Sequence, residues 1–125
     1  MIYWKQKDVN KLKLDYDLIR NLLLRIEEDS DGHTNFSLFY FFEAFPEVDK
    51  ASIDYHLKYL YDAGFVEGSR DFIIDITPYG REYLDSIRDK NIWENTKKKF
   101  QPLGTVTFSV ISDIAKSLVL KQLGL

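Results

Sequence analysis

The 125-residue sequence contains no cysteine. Disulfides, thiol catalysis, iron–sulfur clusters and cysteine-based zinc sites are therefore excluded. The sequence also has no stretch approaching the roughly 20 apolar residues that span a bilayer, and its first residues are polar and basic. We expect a soluble, cytoplasmic protein without a membrane partner.

Signatures of catalysis and of cofactor binding are also missing. The sequence has no nucleophile motif, no glycine-rich phosphate loop and no pair of carboxylates with a defined spacing. The segment DSDGHT around His33 is similar to part of a calcium loop. If Glu27 is the first position, however, Leu38 stands at the twelfth, where such a loop needs a carboxylate. We therefore predict that the protein is not an enzyme and holds no metal or cofactor.

An overall excess of positive charge is lacking too, since the formal net charge is −3. This argues against a surface that wraps nucleic acid. Two segments are nevertheless basic: residues 1–25 have six Lys or Arg against three Asp, and residues 88–99 have five against two acids. Either segment is able to lie beside a duplex, but lysines at a helix carboxyl end also interact favourably with the helix dipole.

Apolar residues suffice for one core. Hydrophobic residues make up 45% of the chain and include 9 Phe, 8 Tyr and 2 Trp. Aromatic side chains bury large areas and stabilise a fold without disulfides. We predict a single domain over residues 1–125.

The first half of the chain predicts three helices and a strand. Apolar residues recur every three or four positions from Leu14 to Ile26, as in a helix capped by Asp15. FSLFYFFEAFP is too densely apolar for its period to be read, and we predict a strand at Phe36–Leu38 and a short helix ended by Pro46. The next helix is predicted from an Asp49 cap to Ala63. Its inward residues are Ile53, Leu57 and Leu60, and Gly64 is its left-handed stop.

The second half predicts a hairpin and three more helices. The runs Phe65–Glu67 and Phe72–Ile76, separated by GSRD, favour an antiparallel hairpin. Thr77 and Pro78 predict the start of the next helix. A helix with Ile92 and Trp93 follows, and then a last helix capped by Thr107. The last helix has a wide apolar stripe formed by Val110, Ile111, Ile114, Ala115, Leu118 and Val119.

This order predicts an α+β, mostly helical fold: a winged helix-turn-helix with additional C-terminal helices. Residues 1–12 form an N-terminal extension, about 14–88 the winged-helix core and about 89–125 the C-terminal helices. In such a fold the Asp49–Ala63 helix lies on the surface as a reader of DNA, and the hairpin beside it is the wing.

Two segments resemble bacterial winged-helix regulators. VDKASIDYHLKYLYDAGFV resembles their recognition-helix segment, and ITPYGREYLDSI resembles the Leu-Thr-x-x-Gly-Arg step that leads out of the wing. About Lys13 to Leu125 is also similar to a family of small bacterial and phage proteins classified only as a domain of unknown function. The similar segments are LDYDLIRNLLLRIEE, IDYHLKYLYDAGFVEG, GREYLDSIRDKNIW and the terminal LGL. The family commonly has His-Glu-Phe-Leu-Asp where this chain has residues 81–85. The resemblance implies a winged-helix fold and a phage or mobile-element setting, with no established activity.

The candidate nucleic-acid-binding residues lie on the predicted reader helix and wing. Lys50 and Lys58 would contact phosphates, while Ser52, Asp54 and Tyr55 would approach base edges or sugars. We expect Tyr61 on the same outer face, and His56 as a hydrogen-bonded core residue. Arg70, at the wing tip, would enter a minor groove or hold a phosphate, or it is simply exposed.

Two functions stay open at this point. The first is a DNA-binding transcriptional regulator of phage or mobile-element type, with double-stranded DNA as its partner. The second is a protein-interaction module, such as a phage-encoded inhibitor or adaptor, which docks on a host protein through the acidic reader face or the aromatic segment 36–45. The second is favoured by charge, since residues 49–71 contain five acids and three bases. The last helix forms a homodimer contact or completes the core against the first helix.

Overall fold

The computed structural model describes residues 13–125. These residues form six α-helices and a three-stranded antiparallel sheet, so the chain is α+β and mostly helical, as predicted. The chain divides into two compact units, one that ends at Gly80 and one from Arg81 to Leu125. The predicted extension over residues 1–12, with Lys5, Lys7 and Lys11, lies outside the described residues. The single domain over residues 1–125 stays a prediction.

The first unit begins with α1 (Tyr16–Asp29), and its predicted cap is confirmed, because the Asp15 carboxylate accepts a hydrogen bond from Leu18 N at 3.1 Å. A two-residue strand β1 (Phe36–Ser37) and helix α2 (Leu38–Ala44) follow. β1 is one residue shorter than predicted. The reason is that the Ser37 hydroxyl accepts a hydrogen bond from Tyr40 N at 3.4 Å and so caps α2.

Helix α3 (Lys50–Asp62) leads directly into the hairpin. It ends where Gly64 adopts a φ of +79°, the left-handed conformation that glycine takes without steric cost. The predicted stop is therefore confirmed. The predicted cap is confirmed only in position, since the Asp49 side chain makes no capping hydrogen bond.

The hairpin strands are β2 (Val66–Gly68) and β3 (Phe72–Ile76). The sheet order is β1-β3-β2, with Phe36 opposite Ile73 and Val66 opposite Ile76. The register shifts between Glu67 and Gly68, which marks a β-bulge. The hairpin predicted from the sequence is thus present, and its central strand also pairs with the strand that precedes α2.

The core of the first unit lies between its helices and the sheet. α1 packs against α3 and β3, and α3 packs against α2 and β2. Ile53, Leu57 and Leu60 face inward as predicted. The other buried apolar residues of this unit are Leu18, Ile19, Leu22, Leu23, Ile26, Phe36, Phe41, Phe65, Val66, Ile73 and Ile76. Burial on this scale is the main source of the unit's stability.

Helix α4 (Pro78–Ile87) starts at the end of the sheet and spans the boundary between the units. Thr77 is the predicted cap: its hydroxyl accepts a hydrogen bond from Gly80 N at 3.0 Å and donates one to the Gly64 carbonyl at 2.6 Å. The Thr77 N–H also donates to the Phe65 carbonyl at 3.0 Å. The start of α4 is therefore hydrogen-bonded to the turn that ends α3.

The second unit contains the rest of α4, helix α5 (Lys90–Phe100), a 3₁₀ turn (Gln101–Leu103) and helix α6 (Phe108–Gln122). Thr107 caps α6 as predicted, accepting from Val110 N at 3.2 Å. The apolar stripe predicted for α6 is too wide, because only Ile111 and Ala115 are buried. Val110 and Val119 are 40% and 37% exposed, since the packing of α5 against α6 covers one side of that helix.

Candidate functional site

The outer face of α3 and the hairpin loop together form a groove of about 300 Å³. We call this the α3–hairpin groove. Four of the six predicted site residues line it: Asp54, Tyr55, Lys58 and Arg70. Its remaining lining residues are Ala51, Tyr59 and Asp62. The groove exists because α3 turns sharply at Gly64, which returns the chain along the helix as β2.

The cations of this groove are paired with its acids. Lys58 Nζ lies 3.1 Å from Asp54 Oδ2, one helical turn away, and the Arg70 guanidinium lies 3.4 Å from Asp62 Oδ2. These four side chains are between 34% and 57% exposed, so each pair adds little to stability. The groove therefore has alternating charges in place of a continuous positive strip.

The other two predicted residues lie outside the groove. Lys50 is exposed at the start of α3, with Nζ 5.5 Å from the centre of the Phe42 ring, a cation–π contact between α3 and α2. Ser52 is half-buried, and its backbone carbonyl lies 2.7 Å from His56 Nδ1. Ser52 thus supports His56 on the inner side of the helix.

His56 is a hydrogen-bonded core residue, as predicted. It is fully buried, and its Nε2 accepts a hydrogen bond from the backbone N–H of Asp15 at 2.8 Å. Nδ1 therefore carries the proton and donates to the Ser52 carbonyl. Burial lowers the pKa of His56, against smaller raising effects of the Ser52 carbonyl and the Asp15 carboxylate. His56 fastens α3 to the start of α1 and faces away from the groove.

The acidic loop between α1 and β1 is a turn closed by its own hydrogen bonds. The Asp31 carboxylate accepts hydrogen bonds from His33 N, Thr34 N and the Thr34 hydroxyl at 2.7–2.8 Å. The Thr34 and His33 bonds lower the pKa of Asp31 to about 2. Within residues 13–125, no three His, Asp or Glu side chains are arranged to hold a metal ion.

Three lysines of the second basic segment, Lys97, Lys98 and Lys99, lie in the last turn of α5, where cations interact favourably with the helix dipole. Lys97 Nζ lies 2.9 Å from the Glu94 carboxylate and 5.6 Å from the centre of the Trp93 ring. Lys98 and Lys99 are exposed. The charge of Lys97 is therefore neutralised by an ion pair within its own helix.

Two polar residues that line the groove, Tyr59 and Asp62, were not among the predicted site residues. Tyr59 lies in it, and Tyr61 was the tyrosine expected on this face. The sequence spacing indicates Tyr59 as a groove residue, since it lies four residues after Tyr55 and on the same face of the helix. Asp62 was missed because its contact with Arg70 depends on how the hairpin folds back, which no local pattern reports.

In the part of the chain that the structure describes, no helix is long and apolar enough to cross a membrane.

The fold and groove define an α+β protein whose first unit presents the outer face of one helix beside a hairpin loop. Residues 13–106 match the family described as hypothetical protein (DUF2513), and the chain belongs to that family. An uncharacterized protein of Haemophilus influenzae (strain ATCC 51907 / DSM 11121 / KW20 / Rd) is 25% identical over 121 residues, which cover 90% of this chain and 99% of that protein. No solved structure matches the chain significantly. The family assignment agrees with the expected domain of unknown function, and it brings no activity with it.

Proposed function

We propose that the protein is a non-enzymatic winged-helix protein that binds double-stranded DNA and regulates transcription. The sequence resemblance favours a phage or mobile-element setting in the cytoplasm. In this proposal α3 is the reader helix, the β2–β3 hairpin is the wing, and the α3–hairpin groove faces the duplex.

One observation carries the proposal, namely the topology of the first unit. The order α1, β1, α2, α3, β2, β3, with β3 between β1 and β2, agrees with the element order of a winged helix-turn-helix and supports the proposal. The sheet and the buried faces of α1 and α3 hold α3 so that Ala51, Tyr59 and Asp62 lie on an exposed face beside the hairpin loop. A rigid exposed helix next to a projecting ribbon suits the major groove and the adjacent backbone.

The paired charges determine what kind of DNA binding is supported. Nonspecific affinity for DNA comes largely from neutralised phosphates, and Lys58 and Arg70 are already neutralised by Asp54 and Asp62. Binding in this proposal therefore needs sequence-specific contacts, and nonspecific binding is weak.

The test is fluorescence anisotropy on duplexes that flank the protein's own gene, measured across several salt concentrations. The variant Arg70→Ala removes a wing-tip cation, and Arg88→Ala is its matched control. Arg88 also pairs with an acid, Asp85, at 2.7 Å, and its side chain is 42% exposed. We expect Arg70→Ala to weaken binding, because it removes a cation and leaves the Asp62 carboxylate unpaired beside the duplex, and Arg88→Ala to leave binding unchanged. No complex at low salt with any of these duplexes would contradict the proposal.

A second candidate function, docking on a host protein, is favoured by the exposed aromatic residues of the first unit. Phe39 is 67% exposed and Phe72 is 48% exposed, which is unusual for large apolar side chains. Ser37, two residues before Phe39, pairs directly with Phe72. Exposed aromatic side chains suit a protein interface better than a phosphate backbone.

This candidate is tested by affinity capture from host lysate treated with nuclease, using the wild type and the double variant Phe39→Ser/Phe72→Ser. A stoichiometric partner that survives nuclease and is lost with the double variant supports docking through these residues. Loss of every partner after nuclease contradicts it.

A further inference from the structure

The centre of α3 has a carboxylate with one oxygen unused. Asp54 Oδ2 is bonded to Lys58, whereas Asp54 Oδ1 is covered from solvent and accepts no hydrogen bond from any described residue. A covered acceptor without a donor costs free energy, which a ligand relieves if it brings a donor into the groove and Asp54 turns to meet it. Asp54 and Lys58 are 34% and 36% exposed and both line the α3–hairpin groove, so a small side-chain rotation is enough.

The chemistry of the Asp54–Lys58 pair restricts which hydrogen-bond donor the ligand brings. A carboxylate on a reader helix is repelled by phosphates, whereas a base edge that presents an amino group gives it a hydrogen-bond donor. In the major groove the amino group of cytosine is the preferred partner of Asp, and O6 and N7 of guanine are the preferred partners of Lys. A C·G base pair presents the amino group and these acceptors side by side. Asp54 and Lys58, one turn apart, present the complementary acceptor and donor.

We propose that Asp54 and Lys58 are specificity-determining residues that read one C·G base pair in the major groove. The inference rests on the proposed DNA binding. The N4 amino group of cytosine donates to Asp54, and Lys58 donates to O6 or N7 of guanine. The sequence pattern assigned Lys58 to a phosphate. In this proposal Lys58 contacts a base, because its ion pair with Asp54 keeps its side chain at the middle of α3.

The test is selection of bound duplexes from a random-sequence library at low salt, followed by affinity measurements on the enriched sequence. We expect one position to require C·G, and its replacement by T·A to weaken wild-type binding by about tenfold or more. This measurement needs no variant, so it does not depend on the folding of a mutant. The variant Asp54→Asn is expected to change the preference at that one position from cytosine to adenine, because Asn pairs with N6 and N7 of adenine.

Asp85→Asn is the matched control, since it is the same substitution at an aspartate that also forms an ion pair, with Arg88, outside the groove. It leaves Asp54 and Lys58 intact and is expected to leave the base preference unchanged. An enriched motif that lacks a required C·G pair, or one that Asp54→Asn leaves unaltered, overturns this inference but leaves DNA binding intact. No enrichment of any duplex by the wild type overturns the proposed function together with it.

Discussion

At the scale of single residues, hydrogen bonds and a close backbone approach join the end of α3 to the start of α4. Thr77 and Gly64 are 13 positions apart, yet the Thr77 hydroxyl bonds the Gly64 carbonyl. Gly80 lies directly against the backbone of Phe65. The end of α3 and the start of α4 therefore contact each other, which explains why the glycines and the threonine occur at these positions.

Replacing Gly80 by Ala tests this arrangement. The added Cβ would lie 2.1 Å from the Phe65 carbonyl oxygen, which is backbone and cannot move aside. Alanine favours helix by about 1 kcal/mol, but we expect a net loss of about 2 kcal/mol or more because of the overlap. The measurement is the free energy of unfolding in urea. Gly32→Ala, with open space around the new Cβ and only a left-handed backbone to strain, should lose about 1 kcal/mol.

His56 makes the stability depend on pH. Its pKa is lowered by burial from the ordinary 6.5, so the unfolded chain binds the proton more readily than the folded protein. The contribution is fully present above about pH 6.5 and is lost as the pH falls toward the folded pKa. We expect stability to fall by up to about 1.4 kcal/mol per pH unit within this window. Below it the slope due to His56 disappears.

Unfolding of His56→Gln at several pH values checks this expectation. Glutamine does not titrate, so the slope between about pH 6.5 and the folded pKa should flatten. Identical slopes in wild type and His56→Gln would count against the assignment of the neutral imidazole.

At the scale of helices and strands, features that depend on neighbouring residues were predicted from the sequence, and features that depend on tertiary contacts were not. Caps and stops were predictable because Asp15, Thr77 and Thr107 act on backbone groups within three residues. The groove was only half predictable. Helical spacing places Asp54, Tyr55 and Lys58 together, but the pairing of Asp62 with Arg70 requires the hairpin to be folded.

Aromatic density and apolar stripes were less informative at this scale. The segment from Phe36 to Phe45 has no readable period, and its strand and helix were separated only by the capping hydroxyl of Ser37. The stripe of α6 was overestimated, because periodicity reports which face is apolar and not how much of it a neighbour covers.

Two aspartates at helix starts form a natural comparison. Asp89 Oδ2 accepts a hydrogen bond from Ile92 N at 2.9 Å at the start of α5, whereas Asp49 makes no such bond at the start of α3. We expect Asp89→Ala to lower the free energy of unfolding by about 1 kcal/mol and Asp49→Ala by less than about 0.5 kcal/mol. Urea denaturation followed by circular dichroism measures both. Equal losses would show that helix-dipole effects, and not the capping bond, dominate.

At the scale of the whole molecule, exposed apolar side chains cluster at the carboxyl end of α6 in the part of the chain that the structure describes. Val119, Leu120, Leu123 and Leu125 are all exposed there, Leu125 by 84%. We propose that this end joins two copies of the chain, because a dimer would cover these apolar side chains.

Light scattering over a range of concentrations tests the dimer. We expect the wild type to have the mass of two chains and the double variant Leu120→Lys/Leu123→Lys to have the mass of one. Leu103→Lys, at a position that is 69% exposed outside α6, should remain dimeric. A wild-type monomer at high concentration would contradict the proposal.

The described sheet also protects the protein from self-association of another kind. Its two outer strands are short: β1 has two residues, and β2 has three with a bulge between Glu67 and Gly68. A strand from a second molecule needs a long, flat row of free backbone groups to extend a sheet, and neither edge supplies one. Amyloid-like stacking onto the native sheet is therefore disfavoured, and concentrated solutions should stay free of fibrils while the fold is intact.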